Sequence, residues 1–290
     1  MTMATGLCGL IGMALISVQA PTDHQTSPAP AAHPADKSTG KSTGKPAEGI
    51  APKKDAPSAA APKAYSEALN GTTLTFNMVP FTPKDGSKPF YVATCETTWD
   101  LYDVFLFGFD QEQPNGSTPE ADAVSRPSKP YISMDRGFGH AGFPAISISY
   151  YGAKMYCEWL SAKTGKTYRL PTVSEWKALC EQGAVSKESA KEYAWFADNA
   201  DAKTHAVGTA KADANGCFDL WGNASEWCTN ENGKGVTLGG TFKDGGDAIG
   251  CASLVPSSAE WNASDPQFPK SKWWLADGGF VGFRVVCEIK

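Results

Sequence analysis

Apolar and polar side chains alternate over Leu74-Thr75-Phe76-Asn77-Met78-Val79, which predicts a first strand, because successive strand residues face opposite sides of a sheet. Phe90 to Thr98, rich in aromatic and β-branched residues, predicts a second. The period then changes. Trp99 to Phe107 carries apolar residues at helical spacing, and in Tyr150 to Leu160 the residues Tyr151, Met155, Tyr156, Trp159 and Leu160 fall on one helical face, with Gly165 as the stop. A third helix is expected from Thr172, with Glu175 completing a capping box and Trp176 and Leu179 facing inward. Arg169 calls for an acidic partner, for which Glu175 is a candidate. Tyr193 to Asp201 reads as a strand running into an acid-rich loop. Gly108 to Gly142 reads as a long, partly irregular surface segment in which His140 is solvated.

Between these elements lies a stretch that fits neither period: Asp219-Leu220-Trp221-Gly222-Asn223-Ala224-Ser225-Glu226-Trp227-Cys228. Gly222-Asn223 predicts a tight bend, with backbone carbonyls free to point inward. Asp219 and Glu226 flank the bend, so two carboxylates and several carbonyls converge. Oxygen donors of this kind suit calcium, which takes 6–8 oxygens in irregular geometry. Trp221 and Trp227 are placed to anchor the bend to the core through their large faces.

Composition narrows the setting. The chain has 290 residues, 41% hydrophobic residues and nine Trp, enough for a sizeable core. Its net charge of −5 and lack of a basic patch argue against nucleic acid as a partner. Residues 1–20 carry an apolar run from Ala4 to Val18 ending at Val18-Gln19-Ala20, which predicts a cleaved signal peptide and no transmembrane helix in the mature chain. The expected location is therefore outside the cytoplasm: secreted, periplasmic or cell-surface. Residues 21–64, rich in Pro, Ala, Lys, Ser and Thr, predict a disordered linker, and residues 65–290 a folded domain. Of eight cysteines one, Cys8, falls in the leader. No pair among the rest has Cys-x-x-Cys spacing, so structural disulfides are the expectation for an exported protein.

Three further motifs bracket the bend. Arg169-Leu170-Pro171-Thr172-Val173-Ser174-Glu175-Trp176 precedes it, while Leu238-Gly239-Gly240-Thr241-Phe242 and Gly282-Phe283-Arg284-Val285 follow. In this order they resemble the formylglycine-generating enzyme family, also called the sulfatase-modifying-factor domain, over roughly residues 70–290. The resemblance implies an α+β fold related to C-type lectins, with little regular secondary structure and disulfide bracing. It implies a calcium site made by the Asp219 and Glu226 carboxylates with the Gly222 and Ala224 carbonyls. Ser225 departs from the tryptophan usual there. For a second ion it offers Asn199 and neighbouring carbonyls such as that of Ala200, but the acid expected later has no counterpart in this shorter segment. It pairs Cys157 with Cys287 and Cys180 with Cys251; Cys217 and Cys228 bracket the bend and invite a third bridge, which leaves Cys95 over. It also implies a groove beside Trp261, Trp273, Trp274 and Asp244, and a role for Arg284 as buried partner of an acid.

The family's oxidases hold Cu(I) between two cysteines shortly after the Gly-Gly motif, a soft ion on soft sulfur. In this chain Lys243, Asp244 and Ile249 occupy that region and Cys251 comes too late. No copper, no formylglycine-generating activity and no catalytic residue are therefore expected. The favoured expectation is a calcium-stabilised binding domain for a peptide, an envelope protein or a glycan. The alternative is an enzyme of another reaction that uses Lys243, Asp244 and Asp247.

Overall fold

The computed structural model describes residues 61–111 and 118–289. The leader, and the linker as far as residue 60, lie outside the described residues. β1 (Tyr65–Ala68), β2 (Thr75–Phe81) and β3 (Phe90–Ala93) form an antiparallel meander. The second predicted strand thus stops at Ala93. Beyond it the chain turns inward, and the Glu96 carboxylate accepts from the Ala224 amide at 2.9 Å in place of ladder bonding.

Helix α1 (Trp99–Phe107) has the predicted bounds and ends at Gly108 in the left-handed conformation. A one-turn helix α2 (Pro119–Asp122) interrupts the irregular segment. α3 (Tyr150–Thr164) is capped by the Ser149 hydroxyl and stopped by Gly165. β4 (Tyr168–Arg169) leads to α4 (Val173–Gln182), whose capping box between Thr172 and Glu175 is formed. Arg169 reaches Glu175 with two bonds of 2.7 Å, the bidentate geometry its planar head favours.

Instead of a strand over Tyr193 to Asp201 there is a short helix α5 (Ala190–Tyr193) followed by turns. The physical reason lies in Asn199, whose Oδ1 accepts from the Phe196 amide at 2.9 Å and whose amide donates to the Ala194 carbonyl at 2.9 Å. An Asn that bonds its own backbone in this way competes with a ladder.

The later strands are β5 (Ser225–Thr229), β6 (Gly235–Gly239), β7 (Gly250–Pro256), β8 (Val281–Gly282) and β9 (Val286–Glu288). They complete two sheets, one ordered β1-β2-β3-β9-β4 and the other β7-β6-β5-β8. One apolar cluster lies under α1 and α3 and includes Trp99, Tyr102, Tyr156, Trp159 and Phe283. A second surrounds α4 with Trp176, Leu179, Trp221 and Leu238.

One disulfide, Cys180–Cys251, joins α4 to β7 across a sequence separation of 71. The other two expected bridges are absent: Cys157, Cys287, Cys217 and Cys228 are free thiols, as is Cys95. Cys287 faces the Tyr65 hydroxyl and the Glu288 carbonyl. Among the described residues no helix is long and apolar enough to cross a membrane.

Candidate functional site

The bend forms as its sequence predicts. Asp219, Gly222 and Asn223 all have positive φ, and a Cβ on Gly222 would stand 2.1 Å from the Trp195 carbonyl oxygen, so only glycine fits there. The Asn223 amide donates to that same carbonyl at 2.7 Å. Its side chain is fully buried, donating to Glu96 Oε2 at 2.8 Å and accepting from the His205 amide at 2.9 Å. Trp221 and Trp227 are buried, as anchors should be.

The two flanking acids are used differently from the expectation. Glu226 is buried against Arg284: Oε1 accepts from Nε at 2.8 Å and Nη2 at 2.5 Å, while Oε2 accepts from Nε at 2.7 Å and from Trp176 Nε1 at 2.7 Å. Three donor hydrogens, one of them shared by both oxygens, therefore meet this carboxylate. Arg284 is thus the buried structural partner expected of it, and Glu226 is engaged in this ion pair. Asn199 is likewise occupied by its own turn, and among the described residues no three His, Cys, Asp or Glu side chains gather to hold a metal. Of the two carboxylates expected as calcium ligands, Glu226 is thus held by Arg284 and Trp176. What remains open is Asp219, whose Oδ2 accepts from the Gly208 amide at 2.8 Å while Oδ1 is buried without a partner.

Sequence reasoning missed Glu96, since inside an apolar strand pattern nothing marks one acid as turning inward. It brings a third carboxylate to the single Arg284. Burial, and behind it the charges of Asp219 and Glu226, push the Glu96 carboxyl well up. Burial also raises Asp219, to about 6, against the lowering effect of the Gly208 amide.

Beside this buried knot, β6, the Gly-Gly turn and the chain around Trp261 enclose an open cleft of about 230 Å³, lined in part by Ser225, Thr241, Lys243, Asp244, Trp261 and Phe280. Gly240, at φ 78°, lets the chain pass against Ile249, where a Cβ would meet the Ile249 side chain at 2.8 Å. Asp244 Oδ2 accepts from both the Thr241 amide and hydroxyl at 2.8 Å, which fixes the carboxylate at the cleft wall. The exposed Lys243 ammonium lies 5.1 Å from the Phe280 ring centre. Trp261 is half-buried and packs on Trp227 and Phe280. Trp273 and Trp274 are not part of this wall. Both are buried, and the Trp274 indole donates to the Ser128 carbonyl, so these two expected groove residues belong to the core. Asp247 also stands apart, over a separate hollow beside Trp221 and Lys187. The three side chains proposed for an alternative enzyme therefore do not converge.

Residues 72–289 match the model of the sulfatase-modifying factor enzyme 1-like domain. Among solved structures the chain is similar to Treponema denticola variable protein 1, with 18% identity and a TM-score of 0.56, covering 79% of this chain and all of that one. PvdO from Pseudomonas aeruginosa is similar at 19% identity and a TM-score of 0.53, with the same coverage. At such identities the likeness is one of fold. A stretch of 96 residues is 33% identical to the serine/threonine-protein kinase pkn1 of Chlamydia pneumoniae, but it spans 31% of this chain and only 14% of that kinase.

Proposed function

Because the chain belongs to the sulfatase-modifying factor enzyme 1-like domain family, we propose that it is an exported, ligand-binding member without the thiol chemistry of the family's oxidases, and that the Thr241–Trp261 cleft takes an extended peptide. One observation carries the reading. Lys243, Asp244 and Ile249 occupy the region where the resemblance places the two thiols, Ile249 is buried, and the neighbouring Cys251 is closed in a bridge with Cys180. Carboxylate and alkyl groups offer nothing to a soft ion. The cleft itself offers what a peptide uses: hydroxyls on Ser225 and Thr241, an acid, a base and two aromatic faces. The disulfide and the apolar leader support export.

Calcium at the bend is kept apart from this reading. An ion there would have the unpartnered Asp219 Oδ1 available but would have to draw Glu226 off Arg284.

The experiment has two arms. Protein incubated with Cu(I) and a Cys-containing sulfatase peptide is expected to consume oxygen no faster than peptide and copper alone. Peptides selected from a random displayed library on the immobilised protein are expected to lose binding with Trp261→Ala and Asp244→Asn. Turnover in the first arm, or selected peptides indifferent to both substitutions, overturns the proposal.

A further inference from the structure

A second cleft, of about 510 Å³, opens between α1 and the chain from Lys129 to His140. Eight large apolar side chains are exposed among the described residues, and four of them, Phe107, Phe109, Tyr131 and Ile132, lie at or beside this opening, which concentrates apolar surface there. Two of the rings are held in place despite their exposure. Phe107 stacks on Phe109 with centroids 5.4 Å apart. The Tyr131 ring is 47% exposed, yet its hydroxyl donates to Asp265 Oδ1 at 3.1 Å. An exposed ring fixed in advance loses little conformational freedom on binding, the property that makes aromatic residues good contact surfaces.

The polar end of the cleft is also fixed. His140 is exposed, as expected of a loop histidine, but it is tethered: Nε2 lies 2.7 Å from Asp103 Oδ2, Nδ1 lies 3.0 Å from Asp135 Oδ2, and the ring stacks on Trp99 at 5.2 Å. Asp135 is further held by the Ser133 hydroxyl at 2.6 Å and the Gly137 amide at 2.9 Å. Asp103 Oδ1 and Trp99 Nε1 are both buried without a partner, an unmet acceptor and an unmet donor on two residues that line this cleft. Burial works against charge on His140, but its bonds to Asp103 and Asp135 outweigh this and raise its pKa. Lys129 and the two carboxylates of Asp103 and Asp135 put groups of both signs on the cleft wall.

We propose that this cleft binds a neutral saccharide unit of a glycan. A pyranose ring combines an apolar face, which suits Phe107 and Tyr131, with rim hydroxyls that both donate and accept. An ammonium ligand would satisfy only the acceptor and would meet Lys129, and an anionic ligand would meet two acids. The site is separate from the Thr241–Trp261 cleft, so it stands or falls independently of the peptide reading.

The full-length protein is titrated with maltohexaose, cellohexaose and chitohexaose, and binding is read by saturation-transfer NMR and calorimetry. At least one neutral hexaose is expected to bind. Tyr131→Ala and Asp103→Asn are each expected to weaken it by about tenfold or more, and Asp244→Asn, in the other cleft, to leave it unchanged. Tyr131→Phe, which keeps the ring and loses only its tether, is expected to fall between wild type and Tyr131→Ala. Thermal melts of each variant separate lost binding from lost folding. No hexaose binding, binding indifferent to both Tyr131→Ala and Asp103→Asn in folded protein, or selective binding of spermine or heparin in their place would overturn the proposal.

Discussion

The Gly222–Asn223 bend and the Thr241–Trp261 cleft are neighbours built from adjoining motifs, yet they solve opposite problems. At the bend Glu226 bonds the Arg284 guanidinium, Glu96 and Asp219 feel its charge, and one oxygen of Asp219 is left over. In the cleft Asp244 is tied by one oxygen only, Lys243 rests on a ring, and Trp261 keeps part of its face in solvent. A site whose charged groups are paired with one another holds a fold together; a site with lone pairs and aromatic faces to spare can hold something else. The density of polar residues in a motif does not reveal which it is.

The sharpest way to break this contrast is at Arg284. Arg284→Met leaves Glu226 buried without its partner, and about 5 kcal/mol of stability is expected to go, a loss read by urea unfolding, if the protein folds at all. The paired variant Arg284→Met with Glu226→Gln is expected to recover part of that. Opening the Cys180–Cys251 bridge with Cys251→Ser is expected to cost about 4 kcal/mol, from the loop it closes, and to lower the melting temperature without altering metal binding.

Next comes a pH effect confined to the bend. Asp219 is raised from 3.8 to about 6 on folding. The folded protein therefore keeps this proton where the unfolded chain has released it. Its contribution is full below about pH 4 and is lost as pH rises through 6, by up to about 3 kcal/mol. Because Glu96 is raised as well, Asp219→Asn is expected to lessen, not abolish, the fall of stability between pH 4 and 7, measured by denaturant midpoints of both proteins; an unchanged slope would mean that Asp219 does not contribute.

In the cleft the expected stability effects are small. Trp261→Ala should cost about 1–2 kcal/mol, because its ring is only half-buried, while abolishing selected-peptide binding. The smallest effect is expected from calcium. Since Glu226 is held by Arg284 and Trp176, adding calcium or a chelator should move the melting temperature by no more than about 1 °C in a thermal scan. A large shift would show that an ion displaces Arg284 and that bend and cleft are less different than they look.

Much of the framework was legible because it rests on local rules. The helix over Trp99 to Phe107, the capping box at Thr172, the glycine stop at Gly165 and the Gly222–Asn223 turn depend on residues a few positions apart, and the chain itself states them. The strand expected over Tyr193 to Asp201 failed at one residue, Asn199, whose side chain offers the backbone a nearer partner than any neighbouring strand.

What sequence alone determined, then, is where the chain bends, coils and stops, which aromatic residues anchor the bend, and the absence of a thiol pair after the Gly-Gly motif. What only the tertiary structure decided is which charge meets which. Glu96 reaches a residue 128 positions away, and Arg284 takes Glu226 from 58 positions away. His140 closes between two acids that no local spacing joins. Cys157 and Cys287 remain free thiols although the family resemblance pairs them. Coulombic and hydrogen-bond partners are chosen by distance in space after burial has removed water as the alternative, and that choice is not written in the period of the chain.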